Sequence, residues 1–196
     1  MKITRTLYVH RRSAWRAWLK KHHQTAREIW LVYYKKDSGR PRISYNDAIN
    51  EAICFGWIDS TAKPLNDKSY CQRFSPRRKG SPISELNKAR ARRLIREGRM
   101  APAGLTSLKD ALRQGAVFHK GKIRETRAWR EAPDILKALK ADPEAWRHYR
   151  KFPQTYRRIR TAWIEGARHR PSVFRTRLGY FVRMTSQNKR FGMLRG

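Results

Sequence analysis

Residues 28–60 read EIWLVYYKKDSGRPRISYNDAINEAICFGWIDS and contain the clearest strand of the chain. The strand is predicted over residues 28–36, a short run rich in β-branched and aromatic side chains that ends at a DSG turn. Ser44 then precedes residues 48–55, where apolar side chains recur at helical spacing, and Gly56 stands where a helix would end. A second extended run follows at once. The stretch therefore predicts a strand, a helix and another strand.

Shorter patterns on both sides complete the first part of the chain. Residues 3–9 alternate and favour a strand, and Ser13 can cap a helix with tryptophan and leucine at helical spacing. Residues 57–62 and 69–75 are typical of two more strands joined by a tight turn. The resulting order, β-α-β-α-β-β, predicts an α+β fold in which a small, mainly antiparallel sheet packs against helices.

The rest of the chain is mostly helical in pattern. Helices are predicted from Ser84 and from Ala103, and again through most of the last third after a stretch without clear periodicity. The predicted organisation is an α+β domain over residues 1–115, a loop or linker over 116–131 and a basic helical C-terminal region over 132–196.

The chain is strongly basic. It has 47 lysine and arginine residues against 15 acidic ones, a formal net charge of +32. Such a field attracts polyanions, and affinity for nucleic acid would fall steeply with salt. A general excess of basic residues in the proteins of the host would explain the same net charge equally well. With 39% hydrophobic and 11% aromatic residues, a wholly disordered basic chain is disfavoured. The charge thus indicates contact with anions without identifying one.

Cysteine usage and hydropathy indicate a cytoplasmic protein. Cys54 and Cys71 are the only cysteines, and neither lies in a C-x-x-C or Cys/His ligand pattern. Free, buried thiols in a reducing compartment are therefore expected. Residues 1–23 are interrupted by charges and have no apolar core of a signal peptide. No apolar run approaches the length of a membrane span.

Standard catalytic patterns are missing from the sequence. It has no phosphate-binding glycine loop, no H-E-x-x-H motif and no G-x-S-x-G motif. His22 and His23 are adjacent on a predicted helix end, and adjacent helical residues do not face one another, so no metal site is expected there. No local base is suggested that could activate Cys54. Enzymatic activity is disfavoured, and neither a cofactor nor a metal is predicted.

Two stretches, residues 33–60 and 70–104, carry a specific set of motifs. In order they are YKK-x-SG, a Tyr-x-x-Ala step, CFGWIDS, QRF-x-PR and an S-x-x-S-x-x-NK run ending in EGRM. With these motifs the chain resembles the YdeI/OmpD-associated (bacteriocin-protection) family, and residues 133–168 fit the helical tail of that family. The chain departs from the family pattern at Ile83, where tryptophan is frequent, and in the altered tail at 169–177.

The resemblance implies a fold more than a chemistry. Members are linked to the YjbR/CyaY-like group of small α+β domains, which agrees with the order of elements above. The association with bacteriocin or envelope-stress tolerance describes a phenotype and implies no reaction. The first hypothesis is therefore a non-enzymatic protein that binds an anionic ligand.

The motif residues combine cations, hydrogen-bonding groups and flat rings, a mixture that suits phosphate or carboxylate groups. We expect the ligand site to be formed by Lys35, Lys36, Tyr45, Trp57, Asp59, Ser60, Arg73, Arg77, Asn87 and Lys88. The structural alternative is that Trp57 belongs to the core and that Asp59 pairs with Arg73 across adjacent strands. A further hypothesis is an enzyme that acts on an anionic small molecule at Lys35, Asp59 and Arg73.

Nucleic acid is the alternative partner, bound through basic helices. On the helix predicted over 154–167, Tyr156 and Trp163 share the apolar face, and Arg160 is expected away from it. The helices over 84–114 superficially resemble a helix-turn-helix, but their connection is longer than the usual turn of about three or four residues. Phosphate contacts that read no sequence are expected from Arg90, Arg93, Arg96, Arg157, Arg158, Arg160, Arg175 and Arg177.

Overall fold

The chain divides into two compact units. The computed structural model describes residues 2–113, 116–119, 122–125 and 129–192. The first unit consists of Met1–Ile83 and Arg90–Arg124, and the second of Ser84–Ala89 and Glu125–Gly196. Within the described ranges, no helix is both long enough and apolar enough to cross a membrane.

Four strands form the sheet of the first unit. They are β1 (Thr6–Tyr8), β2 (Ile29–Tyr34), β3 (Trp57–Asn66) and β4 (Ser69–Pro76). The spatial order is β1-β2-β4-β3, with β1 parallel to β2 and the other neighbours antiparallel. The pairing of β3 with β4 shifts register between Asp59 and Ala62 and again between Pro64 and Asn66. The small, mainly antiparallel sheet is confirmed.

Helices follow the strands as the apolar periodicity predicts. They are α1 (Arg12–His22), α2 (Tyr45–Cys54), α3 (Glu85–Arg96) and α4 (Pro102–Arg113). Helix α2 begins at a cap in which the Ser44 hydroxyl accepts the backbone N–H of Asp47 at 3.0 Å. It ends before Gly56, whose φ of 75° is the left-handed conformation that glycine adopts without steric cost. The predicted β-α-β-α-β-β order is confirmed.

The buried cluster that the helices cover lies on one face of the sheet in the first unit. Ile29, Leu31 and Tyr33 alternate along β2 and pack with Phe74 of β4 and Trp15 of α1. The same buried cluster includes residues of α2, α3 and α4. The apolar face of each helix is thus buried against a single side of the sheet, as expected for an α+β fold.

Two further strands lie where the sequence predicts a loop. Strands β5 (Ala116–His119) and β6 (Lys122–Glu125) pair with each other in a second, two-stranded sheet. The loop predicted over 116–131 is therefore wrong for these residues. Runs of four residues are too short for the alternation of side chains to stand out from the surrounding sequence.

The second unit is built from helices. They are α5 (Pro133–Lys140), α6 (Pro143–Lys151), α7 (Gln154–Glu165) and α8 (Pro171–Ser186). Proline begins three of them, where its missing N–H leaves no hydrogen bond unmade. Ile135, Leu139, Tyr149, Ile164 and Phe181 are fully buried and form the centre of the core. The predicted helical C-terminal region is confirmed.

Candidate anion-binding site

The residues of the first predicted site lie on opposite faces of the sheet. Asp59 pairs with Phe74, which places its side chain on the face that the helices cover. There the hydroxyl of Tyr45 donates a hydrogen bond to Asp59 Oδ2 at 2.7 Å. Burial and this hydrogen bond raise the pKa of Tyr45, so the hydroxyl stays protonated. Tyr45 and Asp59 therefore do come together, as a partly buried pair.

Arg73 lies on the other face of the sheet. Its Nε donates to Glu28 Oε2 at 2.6 Å, and its Nη1 donates to the hydroxyl of Ser60 at 3.3 Å. The predicted pairing of Asp59 with Arg73 is wrong, because neighbouring residues of a strand point to opposite faces and Asp59 stands opposite Phe74. The cation of Arg73 is thus engaged by a carboxylate that the motifs do not include.

The other predicted residues of the first unit are scattered. Lys35 and Lys36 are exposed at the end of β2 and in the short 3-10 turn that follows it. Trp57 is 2% exposed, and its Nε1 donates to the carbonyl oxygen of His23 at 3.1 Å. It therefore belongs to the core, as the structural alternative holds. The Arg77 guanidinium donates to a backbone carbonyl in its own loop.

Asn87 and Lys88 lie on the first turn of α3, in the second unit. Lys88 Nζ forms an ion pair with Glu85 Oε1 at 2.9 Å. Two hydrogen bonds join members of the predicted site, from Tyr45 to Asp59 and from Arg73 to Ser60. Several of the motif residues therefore make contacts within the fold, and the ligand site predicted from them stays a prediction.

Several arginines predicted to contact nucleic acid are engaged within the protein. Arg90 is 7% exposed and donates to the Asn46 side-chain oxygen at 2.7 Å. Arg93, Arg157 and Arg158 each form an ion pair with a glutamate, at 3.5, 3.6 and 2.6 Å. Each of these guanidinium groups already has a partner within the protein, and its contact with nucleic acid stays a prediction.

One groove of the second unit collects aromatic rings and two of the predicted arginines. It has a volume of about 610 Å³, which suits a small organic ligand. Helices α7 and α8 and the segment after α8 supply its walls. The lining residues are Arg160, Trp163, Ser172, Val173, Thr176, Arg177, Tyr180 and Phe191.

Arg160 is the buried cation of this groove and is only 7% exposed. Its guanidinium carbon lies 5.0, 5.7 and 6.0 Å from the ring centres of Phe191, Tyr156 and Trp163. Its Nε is buried without a hydrogen-bond partner, and among the described residues no carboxylate pairs with the side chain. Burial lowers the pKa of Arg160, because the charged form loses its hydration.

The burial of Arg160 corrects the prediction that it lies away from the apolar face of α7. Tyr156 and Trp163 stand four residues before it and three residues after it, which places all three side chains on one side of a helix. The spacing in the sequence therefore contained the signal. The prediction was wrong because it treated an arginine as a residue that always faces solvent, whereas Arg160 is buried.

The remaining walls of the groove are mutually packed. The Arg177 guanidinium lies 4.7 Å from the ring centre of Trp163, and its Nη1 donates to the Trp163 carbonyl oxygen at 2.6 Å. Phe191 meets Tyr180 edge-to-face at 4.8 Å and Trp163 at 5.8 Å. The backbone N–H of Phe191 donates to the Tyr156 hydroxyl at 3.1 Å, which holds the segment after α8 against the groove.

Metal or thiol chemistry finds little support in the side chains. Across the residues that the structure describes, no three histidine, cysteine or carboxylate groups are placed to hold a metal ion. Burial raises the pKa of the Cys54 thiol, so the nucleophilic thiolate is disfavoured at neutral pH. The groove at Arg160 contains a buried cation that has no carboxylate partner among the described residues.

Comparison with known families divides the chain in a similar way. Residues 7–107 match the family described as Domain of unknown function (DUF8412). Residues 131–188 match the family described as Bacteriocin-protection, YdeI or OmpD-Associated. No curated protein and no solved structure matches the chain. The link to YjbR/CyaY-like domains therefore stays a prediction.

The two family matches lie at different places from those expected from the resemblance noted in the sequence. The motifs within 33–104 fall in the first match, whereas the bacteriocin-protection match covers the helical C-terminal region, including Arg160, Trp163 and Tyr180 of the groove. The first match spans about half of the chain. The protein therefore belongs to the family described as Domain of unknown function (DUF8412), and its residues 131–188 are similar to the family described as Bacteriocin-protection, YdeI or OmpD-Associated.

Proposed function

We propose that this protein binds an anionic ligand without catalysing a reaction on it, and that the groove at Arg160 is the binding site. The observation that carries the proposal is a guanidinium that is 7% exposed and, in the described part of the chain, has no carboxylate partner. Burying an unpaired charge costs several kcal/mol. The contacts with three rings offset up to about 2 kcal/mol of that cost. A bound anion would supply the missing counter-charge.

We further propose that this binding serves bacteriocin or envelope-stress tolerance in the cytoplasm. Support comes from the position of the groove, because helices α7 and α8 lie within the match to the bacteriocin-protection family. A protein of net charge +32 also draws anions towards every part of its surface. The groove adds selectivity to that general attraction.

Nucleic acid is supported less well as the partner. Arg96 and Arg175 are exposed, but Arg90, Arg157 and Arg158 already have partners inside the protein. Tight binding of a phosphate backbone needs a row of cations that each neutralise one phosphate. The single deeply buried guanidinium of the groove favours a ligand that can enter it.

Replacing Arg160 with methionine is expected to remove the stabilisation that anions give the protein. A ligand present at one hundred times its Kd stabilises the folded state by about 2.7 kcal/mol. Thermal unfolding should be measured with benzoate, inorganic phosphate and a ten-nucleotide thymidylate, at constant ionic strength. We expect at least one of them to raise the Tm of the wild-type protein by several degrees and to leave Arg160→Met unchanged.

The matched control for this measurement is Arg175→Met. Arg175 is exposed, lies on the same helix as the groove residues and lines a different groove, so its loss removes the same charge elsewhere. This variant should respond to anions like the wild-type protein. Equal responses of wild-type protein and Arg160→Met to every anion would show that the attraction is generic and would refute the assignment of the site.

The cellular role predicts a matching pattern of survival. A bacteriocin-sensitive strain that expresses the wild-type chain or Arg175→Met should survive a bacteriocin challenge better than one expressing Arg160→Met at the same level. Survival should be scored as colony counts, with protein abundance checked by immunoblot. Equal protection by all three proteins would show that bacteriocin tolerance does not depend on the groove at Arg160.

A further inference from the structure

We infer that the ligand of the groove is an amphiphile that carries one carboxylate-class head on a flat, apolar body. This inference rests on the proposed function, because it names the ligand class of the same site. Three features of the groove support it: one guanidinium that has no carboxylate partner among the described residues, aromatic walls, and close packing around that guanidinium.

The groove offers one charge for recognition. Of the two guanidinium groups that line it, Arg177 lies over the Trp163 ring, 4.7 Å from its centre, and donates to the Trp163 carbonyl oxygen at 2.6 Å. Arg160 makes no such bond to the described residues. A guanidinium presents parallel N–H groups that match the two oxygens of a carboxylate. A single guanidinium that has no carboxylate partner among the described residues therefore matches a ligand with one anionic group.

The remaining walls favour an apolar, planar body. Trp163, Tyr180 and Phe191 surround the groove with rings in edge-to-face contact at 4.8 and 5.8 Å, and Val173 adds an aliphatic surface. A ligand with a flat apolar body would exchange water for contact with these rings, at about 25 cal/mol for each Å² of apolar surface buried. An inorganic anion would gain none of this contact.

The guanidinium is packed closely by backbone as well as by rings. A Cβ atom at Gly192 would lie 2.5 Å from Arg160 Nη1 and 3.0 Å from its Cζ, and Gly192 has a φ of 81°. The absence of a side chain at Gly192 lets the backbone approach the Arg160 guanidinium this closely. A guanidinium packed this closely favours a compact anionic head.

The test compares a carboxylate with its neutral isostere by isothermal titration calorimetry. The probes are naphthalene-2-carboxylate, naphthalene-2-carboxamide, inorganic phosphate and a ten-nucleotide thymidylate, each titrated into the full chain at physiological salt. We expect the carboxylate to bind the wild-type protein about ten- to one-hundred-fold more tightly than the carboxamide, the range for a hydrogen bond to a charged group.

Three variants test whether the preference for the carboxylate over the carboxamide depends on the Arg160 guanidinium. Arg160→Met should bind the carboxylate and the carboxamide equally, and Arg175→Met should keep the wild-type preference. Arg160→Lys keeps the charge but loses the paired N–H groups, so its preference should be intermediate. Each variant should first show a cooperative thermal transition, which confirms that it is folded.

The possible results distinguish the inference from the function on which it rests. A carboxamide that binds as tightly as the carboxylate, or a preference that persists in Arg160→Met, overturns the inference. Phosphate or thymidylate binding that depends on Arg160, without carboxylate binding, overturns the ligand class and leaves the proposed function standing. If no probe depends on Arg160, both fail.

Discussion

Replacing Glu51 with glutamine is expected to lower the free energy of unfolding by about 3 kcal/mol. Glu51 lies on α2 with its side chain fully buried, and three arginines converge on it. Arg12 Nε and Arg99 Nη2 each lie 2.5 Å from Oε1, and Arg16 Nη1 lies 2.6 Å from Oε2. The neutral amide would leave Arg16 without a carboxylate partner among the described residues, and would leave Arg12 and Arg99 only the more distant carboxylates of Asp47 and Glu97, at 3.4 and 3.8 Å.

The three arginines are themselves 30 to 38% exposed, so the loss should fall at the lower end of the range for broken buried pairs. Urea denaturation followed by far-UV circular dichroism gives the change directly. Glu97→Gln is the matched control, because Glu97 is 41% exposed and its nearest guanidinium atoms lie 3.5 and 3.8 Å away. That change should cost less than about 1 kcal/mol. A similar small loss for Glu51→Gln would mean that water reaches the cluster.

The Glu51 cluster illustrates what the sequence cannot provide. Apolar spacing predicts α2 and its buried face, but a carboxylate between Ala48 and Ala52 reads as a solvent-facing residue. Its burial depends on arginines that come from α1 and from the turn after α3, far apart in the chain. Periodicity identifies elements, whereas charge neutralisation inside a fold depends on how distant elements meet.

Strand register limited the prediction of the first site in the same way. The strands that contain Asp59 and Arg73 are evident from their composition, and both strands are confirmed. Which residues of β3 and β4 face each other depends on the register of the two strands to within one residue. The pairing of β3 with β4 is irregular at two places. Because a shift by one residue exchanges the faces of a sheet, Asp59 and Arg73 separate although their strands are neighbours.

The groove at Arg160 was partly within reach of the sequence. Spacing along α7 places Arg160 on the same side of the helix as Trp163, three residues later, so their proximity follows from the sequence once an arginine is allowed to be buried. Phe191 is different, because it reaches the groove only after the chain leaves α8 and turns back. No periodic pattern extends across such a reversal, and the closing wall of the site could not be predicted.

Replacing Gly104 with alanine is the second change expected to have a large effect, a loss of about 3 kcal/mol in the free energy of unfolding. Gly104 lies in the first turn of α4, where this helix meets the end of α2. A Cβ atom here would lie 2.2 Å from the carbonyl oxygen of Cys54 and 2.9 Å from that of Ile53. Both are backbone atoms, so no rotamer change relieves the overlap and the two helices must move apart.

The same substitution at Gly179 should act in the opposite direction, which separates the close approach of helices from helix propensity. Gly179 lies in α8, and a Cβ atom there would meet nothing within 4 Å. Alanine at this position should stabilise the protein by about 0.5 to 1 kcal/mol, because glycine loses more backbone freedom on folding. Both variants can be measured by urea denaturation. If Gly104→Ala also stabilised the protein, the contact between α2 and α4 would be loose. The Cys54 carbonyl oxygen accepts the Ala101 N–H at 2.9 Å, and in that case this hydrogen bond could not be fixing the start of α4.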